Sequence, residues 1–232
     1  MLNHKIREVV EMFRRELPPE QAALIEQGAG EISVLDIVEK ALKIGDQVPD
    51  FTLSTYGGDV RTLNDYLGSG PLVLTFYRGV WCPYCNLQLK EYDEHLGAIK
   101  ELGATLAAVT PEKPGAADLL AASDAPDGVA EMAVREVGFD ILHDTQNQLA
   151  RKFGLVFKLP ESHRRLLKEI GVDITALTGD DTFVFPDPAT YVIAPNGVIR
   201  WAFVPNNYRK RAEVDDILIA IQAITSATQQ EI

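Results

Sequence analysis

The sequence predicts an α/β fold with a central mixed sheet flanked by helices. Two short apolar runs, 71–77 and 104–110, have the length and composition of buried strands. The segment between them carries apolar residues at mostly helical spacing, from Leu87 to Leu102. A strand, a helix and a second strand in this order form a βαβ unit, in which the two strands are parallel and the helix packs on the sheet.

Hairpin signals add antiparallel strands to that unit. Asn196-Gly197 separates two β-rich runs, 189–195 and 198–205, and predicts a hairpin with a type I′ turn. Earlier in the chain, runs 48–53 and 59–63 flank a Gly-Gly turn and predict two further short strands. The sheet is therefore expected to be mixed.

The first 44 residues are expected to form a helical arm in front of a domain that covers residues 45–232. One apolar stripe runs from Ile6 to Leu17, and a second set from Val34 to Leu42 repeats the helical spacing. These faces need cover, which the chain's own domain or a homodimer interface would supply. Residues 157–187 fit the expected domain less well and are interpreted as an insertion.

Composition and charge exclude several classes of partner. Asp and Glu outnumber Lys and Arg by 34 to 22, which gives a net charge of −12 and disfavours binding to nucleic acid or to anionic membranes. The sequence has no run near the roughly 20 apolar residues of a membrane span, and its first residues lack the apolar stretch of a secretory signal. A cytoplasmic location is therefore expected.

The chain has two cysteines, Cys82 and Cys85, in the segment Trp-Cys-Pro-Tyr-Cys. The spacing indicates redox exchange or metal binding, but the chain has no other cysteine and its four histidines are scattered, so we expect no metal site. The pair lies between a strand and a helix start, where backbone N–H groups lower a thiol pKa. Pro83 suits the first helical turn, and the two sulfurs are close enough for a Cys82–Cys85 disulfide.

Residues 76–85 resemble the active-site segment of thioredoxin, with an aromatic strand end, a Trp-Cys pair and a second cysteine three residues later. The flanks resemble the alkyl hydroperoxide reductase and thiol-specific antioxidant family, the peroxiredoxins, at Pro49–Leu53, Thr62-Leu63 and Tyr191–Ile193, and the likeness covers residues 45 to about 225. It implies a thioredoxin-like fold and an enzyme that reduces peroxides. No motif in the sequence requires a metal, flavin or nucleotide, so the enzyme is expected to need no cofactor. A thiol donor such as thioredoxin or glutathione would reset the cysteines.

The same resemblance leaves the roles of the cysteines open. A gapless alignment places Cys85 at the peroxidatic position, but puts Cys82 where the family has Thr and Arg78 where it has Pro. Cys85 would then attack peroxide and Cys82 would resolve the sulfenic acid. In a thioredoxin-like enzyme acting on protein disulfides the roles reverse, and a non-catalytic redox-sensing or partner-binding module is a third alternative.

Further residues are candidates for supporting roles. Arg78 would lower the pKa of a neighbouring thiolate or form a surface ion pair, and Trp81 is expected at the rim of the site or as a packing aromatic. By resemblance, Pro188 occupies the place of the cis-proline that faces the active site in thioredoxin-like proteins. Arg209 or Arg211 would supply the arginine that peroxiredoxins carry late in the chain.

Overall fold

A computed structural model of the protein describes residues 1–230, with side chains up to residue 226. Seven strands form one mixed sheet in the order β2-β1-β5-β4-β3-β8-β9, and β6 pairs with β7 in a separate ribbon. The strands are β1 Thr52–Thr55, β2 Val60–Thr62, β3 Leu72–Phe76, β4 Thr105–Thr110, β5 Asp140–His143, β6 Val156–Lys158, β7 Val184–Pro186, β8 Ala189–Ile193 and β9 Ile199–Phe203. The predicted mixed α/β fold is confirmed.

Helices cover both the sheet and the segments that connect its strands. They are α1 Leu2–Glu16, α2 Pro19–Ser33, α3 Ile37–Lys40, α4 Leu63–Leu67, α5 Pro83–Glu94, α6 Leu96–Glu101, α7 Ala116–Ala121, α8 Asp127–Met132, α9 Gln148–Lys152, α10 Glu161–Glu169, α11 Ile174–Thr178 and α12 Val214–Gln230, with a short 3₁₀ turn at Thr145–Asn147. None of the helices in the described residues has the length and apolarity needed to cross a membrane.

Strand β3 lies at the centre of the sheet. All five of its residues are buried, as expected for a continuous apolar run covered on both faces. It pairs in parallel with β4, with Leu72 opposite Thr105, and antiparallel with β8, with Phe76 opposite Ala189. The predicted βαβ unit is thus β3, α5 and α6, then β4. The carboxyl end of β3 and the start of β8 therefore lie next to each other at the same end of their strands.

The hairpin between β8 and β9 forms as predicted, but its turn is not type I′. That turn needs positive φ at both central residues. Gly197 has φ of 78°, whereas Asn196 is outside the positive-φ residues of the described chain. The Gly197 N–H instead donates to the Ala194 carbonyl, so Pro195 and Asn196 occupy the centre of the turn. Pro195 imposes negative φ at the first of these positions, which a type I′ turn forbids.

The N-terminal arm is helical, but its second helix is not where the apolar spacing predicted it. Helix α2 spans Pro19–Ser33 and begins with its proline at the first helical position. The Val34–Leu42 set contains only the four-residue α3, and Val34 is 82% exposed. A helical spacing of apolar residues requires an apolar surface to face. In the described structure only part of this set is buried, including Ile37 and Ala41, while Val34 and Val38 face solvent.

The arm packs on the chain's own domain. Leu2 and Ile6 of α1 are fully buried, and the Lys5 ammonium pairs with the Glu91 carboxylate on α5. The first turn of α1 is capped from the far end of the chain, since Glu213 accepts hydrogen bonds from the backbone N–H groups of Leu2 and Asn3 at 2.7 and 2.9 Å. A charged cap and buried side chains make α1 part of the folded body.

Replacing Ile6 with Ala is therefore expected to destabilise the whole protein. Removing a fully buried Ile side chain costs about 2–5 kcal/mol, because transfer energy is lost and a cavity remains. Urea denaturation followed by circular dichroism measures the effect, with the exposed neighbour Arg7→Ala as the control. Equal midpoints for the two variants would show that α1 contributes nothing to the stability of the domain.

Residues 157–187 form an ordered structure. Strands β6 and β7 pair antiparallel, with Phe157 opposite Phe185, and helices α10 and α11 lie between them. Helix α10 packs on α2 of the arm, and the imidazole of its buried His163 lies 3.2 Å from the Ile25 carbonyl. The predicted insertion thus joins the arm over the same end of the sheet.

Candidate active site

The two cysteines lie where the sequence predicts, between the end of β3 and the first turn of α5. Cys82 is the N-cap residue of α5, Pro83 is its first residue, and Cys85 lies one turn further in. Both cysteines are free thiols with no exposed surface. The helix N-terminus points its free N–H groups and its dipole at this place, which favours a thiolate there.

The loop before Cys82 is held by two buried polar side chains. The Val80 N–H donates to a Glu112 carboxylate oxygen at 2.7 Å, and the Val80 carbonyl accepts from the Asn86 amide at 2.6 Å. Gly79 has φ of 150°, and a Cβ there would lie 2.4 Å from Glu112 Oε1 and 2.6 Å from Trp81 Nε1. A side chain at position 79 would therefore displace the groups that fix the loop.

Arg78 lies beside Cys82 and is itself buried. Its Nη2 donates to the Cys82 sulfur at 3.0 Å. The guanidinium lies between two aromatic rings, 4.8 Å from the Trp81 centroid and 4.1 Å from that of Tyr208. Both cation–π contacts and the sulfur stabilise a cation that has left water. The surface ion pair that the sequence also allowed for Arg78 does not form.

Arg211 holds the second cysteine in the same way. Its Nη2 donates to the Cys85 sulfur at 3.2 Å, and its Nη1 donates to the Tyr208 carbonyl at 2.6 Å. Its Nε donates to Gln88, whose amide donates in turn to Thr75 on β3 at 2.7 Å. Arg211 is the largest fully buried side chain of the described residues. Because buried polar groups need hydrogen-bonding partners, these acceptors fix its position.

The two late arginines of the sequence analysis therefore separate. Arg211 reaches the site, whereas Arg209 points the other way and donates to Glu26 of α2 at 3.0 Å. Its guanidinium lies over the Tyr208 ring, 5.5 Å from the ring centroid. In an extended segment the side chains of Arg209 and Arg211 would point in the same direction. Here the Lys210 N–H donates to the Asn207 carbonyl and closes a turn, so the two side chains need not share a direction.

The surroundings lower the pKa of Cys82 and raise that of Cys85. Burial opposes ionisation of Cys82, but the hydrogen bond from the Cys85 thiol and the charges of Arg78 and Arg211 outweigh it and hold the pKa of Cys82 well below its usual value. Burial and the neighbouring Cys82 thiolate raise the pKa of Cys85 well above its usual value, against the opposing charges of both arginines. The surroundings thus favour ionisation of Cys82 over that of Cys85.

Two buried carboxyl groups that the sequence analysis missed interact with the charged groups of the site. Burial raises the pKa of Glu112 to about 8, with the Cys82 charge adding to the rise against the Val80 N–H bond. Burial likewise raises the pKa of Asp187 to about 6, opposed by the charges of Arg211 and Arg78. Glu112 follows β4 and Asp187 precedes β8, the two strands that flank β3. Both residues therefore lie at the end of the sheet where β3 ends. Their positions next to these strand ends are the signal that sequence reasoning could have used.

An apolar cavity of about 490 Å³ opens beside the motif. Arg78, Trp81 and Pro83 form part of its wall, so the cavity reaches the residues on both sides of Cys82. Its other walls come from the arm and from the segments that fold over it. Apolar side chains contributed by α1, α2, α8 and α10 include Phe13, Ile25, Met132 and Leu166. A space of this size and lining accepts an apolar ligand rather than a strongly hydrated one.

The remaining predicted residues are placed as follows. Trp81 is 6% exposed, forms part of the cavity wall and packs edge-on against Phe185, so it is both a site residue and a packing aromatic. Pro188 lies directly before β8, but residues 1–230 contain no cis peptide bond, so the expected cis-proline is wrong. The trans form is the one that X–Pro bonds favour intrinsically, and the likeness to thioredoxin does not extend to this bond.

No group of three or more His, Cys, Asp or Glu side chains in the described part of the chain is arranged to hold a metal ion. The groups that remain available for chemistry are the two sulfurs, the two arginines and the two buried carboxyls. Together they can stabilise a nucleophilic thiolate, exchange protons and form a disulfide.

Comparison with known proteins identifies a family for this chain. The sequence model of the AhpC/TSA family matches residues 44–202, which include the whole motif. Peroxiredoxin Bcp of Escherichia coli is 26% identical over 115 residues, which are 49% of this chain and 65% of that protein. The chain thus spans just under two thirds of the length of this curated relative.

Solved structures of peroxiredoxins share the fold. Peroxidoxin BcpB from Mycobacterium tuberculosis is 23% identical and superimposes with a TM-score of 0.54 over 79% of this chain and 98% of that one. The reduced 2-Cys peroxiredoxin of Plasmodium vivax is 19% identical, with a TM-score of 0.59 over 81% of this chain and 84% of that one. These likenesses confirm the expected thioredoxin-like fold.

Proposed function

Since this chain belongs to the AhpC/TSA family, we propose that it reduces peroxides through a dithiol–disulfide cycle of Cys82 and Cys85. The observation that carries the proposal is the hydrogen bond from Arg78 to the Cys82 sulfur at a helix N-terminus. A thiolate held by a buried cation is the nucleophile that attack on a peroxide oxygen requires.

Cys82 is the attacking cysteine in this proposal, and Cys85 resolves. Cys82 has the lowered pKa, and the residues on both sides of it form part of the cavity wall. Cys85 lies three residues further along α5, where Arg211 donates to its sulfur and to Gln88. The contact between Arg211 and Cys85 resembles the arrangement implied by the gapless alignment, so the opposite assignment is the direct competitor.

The proposed reaction has two steps in the protein. The Cys82 thiolate attacks one peroxide oxygen, the O–O bond breaks, and the leaving oxygen takes a proton to give an alcohol or water and a Cys82 sulfenic acid. The Cys85 sulfur then attacks the Cys82 sulfur, the S–O bond breaks, and water leaves with the Cys85 proton. The Cys82–Cys85 disulfide that results is reduced by two thiols of the donor, either one dithiol of the thioredoxin type or two molecules of glutathione.

The cavity supports apolar organic hydroperoxides as the preferred substrates. Its volume of about 490 Å³ is far larger than hydrogen peroxide needs, and its wall is mainly apolar. Burying an alkyl chain there contributes about 0.8 kcal/mol per CH₂ group, which hydrogen peroxide cannot obtain. The Arg78 guanidinium at the wall would attract the peroxide end toward Cys82.

Disulfide exchange with a protein substrate is the second candidate, because the proposed order of an outer nucleophile and a deeper resolving cysteine also suits that reaction. Both thiols have no exposed surface, however, and a folded protein disulfide must reach Cys82 closely. Peroxides meet this restriction more easily.

Stopped-flow kinetics of the reduced protein tests the proposal. Cumene hydroperoxide, hydrogen peroxide and a model disulfide are mixed separately with the protein, and mass spectrometry follows the loss of two hydrogens between the cysteines. We expect the organic hydroperoxide to react fastest and to yield the intramolecular disulfide. Reaction with the model disulfide alone would favour the second candidate, and inert thiols in all three reactions would refute both.

A further inference from the structure

Asp187 is a fully buried carboxyl group whose two oxygens lack a well-formed hydrogen bond among the described residues. The backbone N–H of Asn206 lies near the carboxylate and favours its ionised form, but it does not complete a hydrogen bond to either oxygen. The β3–β8 register places it beside the site, because Phe76 faces Ala189 and the positions two further along are Arg78 and Asp187. A buried acid that is left unsatisfied in this way costs stability and calls for a function.

The charges around Asp187 are those of the redox site. Arg78 after β3 and Arg211 before α12 favour its ionised form, and the backbone N–H of Asn206 faces it. On β8, the charge of Asp187 also acts on the hydroxyl of Tyr191 and raises the pKa of that tyrosine. Each arginine donates to one cysteine sulfur. Asp187 and the Cys82 thiolate are therefore two negative charges that can balance the same pair of buried cations.

We propose that in mildly acid solution Asp187 carries a proton while Cys82 is a thiolate and loses it when that thiolate is oxidised, so that the charge beside the two arginines stays constant. The inference rests on the proposed role of Cys82 and adds a residue outside the motif. Moving one negative charge from sulfur to carboxylate avoids leaving both buried cations with no counter-charge, which is costly in a low-dielectric interior.

The protons balance in each step. When Cys82 attacks the peroxide, the leaving oxygen takes up one proton and Asp187 gives one up. Formation of the disulfide releases water, whose second hydrogen comes from the Cys85 thiol, and Asp187 stays ionised. The dithiol donor then supplies two electrons and two protons, of which one goes to Cys85 and one returns to Asp187. Asp187 acts through the arginines and is a positioning residue in this scheme.

The proposal predicts how the number of protons taken up on reduction of the disulfide changes with pH. Burial sets the pKa of Asp187 at about 6 in the dithiol form. Loss of the thiolate leaves the two arginines to act on Asp187 alone, so its pKa falls in the disulfide form. Between these two pKa values, reduction of the disulfide takes up two protons in the wild-type protein. Above them Asp187 is ionised in both forms, and reduction takes up one.

Equilibration with dithiothreitol across pH 5 to 8 measures the number of protons per disulfide. Dithiothreitol itself gives up two protons per disulfide, so just below pH 6 the wild-type equilibrium constant should be nearly independent of pH, whereas that of Asp187→Asn should change about tenfold per pH unit. Above pH 7 the two should run parallel. Asp144→Asn is the matched control, because Asp144 is also a buried acid but accepts from the Leu149 and Ala150 N–H groups. It should behave as wild type.

Infrared difference spectra of the wild-type protein give a second measurement that needs no variant fold. With ¹³C-labelled aspartate, oxidation at pH 5.5 should remove the carbonyl band of a protonated carboxyl. Parallel pH slopes for wild type and Asp187→Asn, or no loss of that band, would overturn the proposal. Failure to form the Cys82–Cys85 disulfide at all would refute the proposed function together with this inference.

Discussion

Replacing Cys82 with Ser is expected to abolish reaction with peroxide, whereas Cys85→Ser should still react once. A serine hydroxyl at position 82 does not ionise near neutral pH, so the loss of rate should be at least about a thousandfold. Cys85→Ser keeps the thiolate beside Arg78 but has no resolving thiol, so it should stop as a Cys82 sulfenic acid. Trapping with dimedone followed by peptide mass spectrometry locates the adduct.

The two variants are controls for one another. Each removes one sulfur and leaves the contact between the other cysteine and its arginine intact. A dimedone adduct found only at Cys85, in the Cys82→Ser protein, would reverse the proposed roles. That result would mean that the contact between Arg211 and Cys85 outweighs the lowered pKa of Cys82.

Removing the charge of Arg78 should raise the pKa of Cys82 and slow its reactions at neutral pH. In Arg78→Met the buried sulfur loses its hydrogen-bond donor and its nearest cation, so the thiol form is favoured. A return of the pKa to the free value of about 8.5 would leave a few per cent thiolate at pH 7 and slow alkylation about thirtyfold. The rate of iodoacetamide labelling as a function of pH measures the shift, which should be toward higher pH.

Arg209→Met is the matched control for this experiment. Arg209 also lies over the Tyr208 ring, but it pairs with Glu26 and donates to neither sulfur. Its loss should leave the pH profile of labelling in place. Identical profiles for Arg78→Met and the wild-type protein would show that Arg78 does not contribute to the lowered pKa of Cys82.

Much of the fold follows from local patterns in the chain. The buried runs that became β3 and β4, the helix that begins at Pro83 and the hairpin around Gly197 each carry their own signal of length, spacing or turn residue. The Val34–Leu42 segment shows where such reasoning fails. Its spacing is helical, but whether an amphipathic pattern folds as a long helix depends on the surface available to it.

The sequence by itself determined where the redox pair would lie, because a Cys-x-x-Cys motif between a strand and a proline-started helix places both sulfurs in the first helical turn. It also supplied Arg78 and a short set of candidates for a second cation. These conclusions need only covalent neighbours and the geometry of one helix.

Only the tertiary structure decided which distant groups surround the sulfurs. Arg211 reaches Cys85, Arg209 turns away, and Asp187 and Glu112 come to the site from two strands that flank β3. The apolar cavity likewise needs four helices from separate parts of the chain. The physical reason is that these charges act through space over a few ångströms in a low-dielectric interior, and such distances are set by sheet register and helix packing rather than by sequence separation.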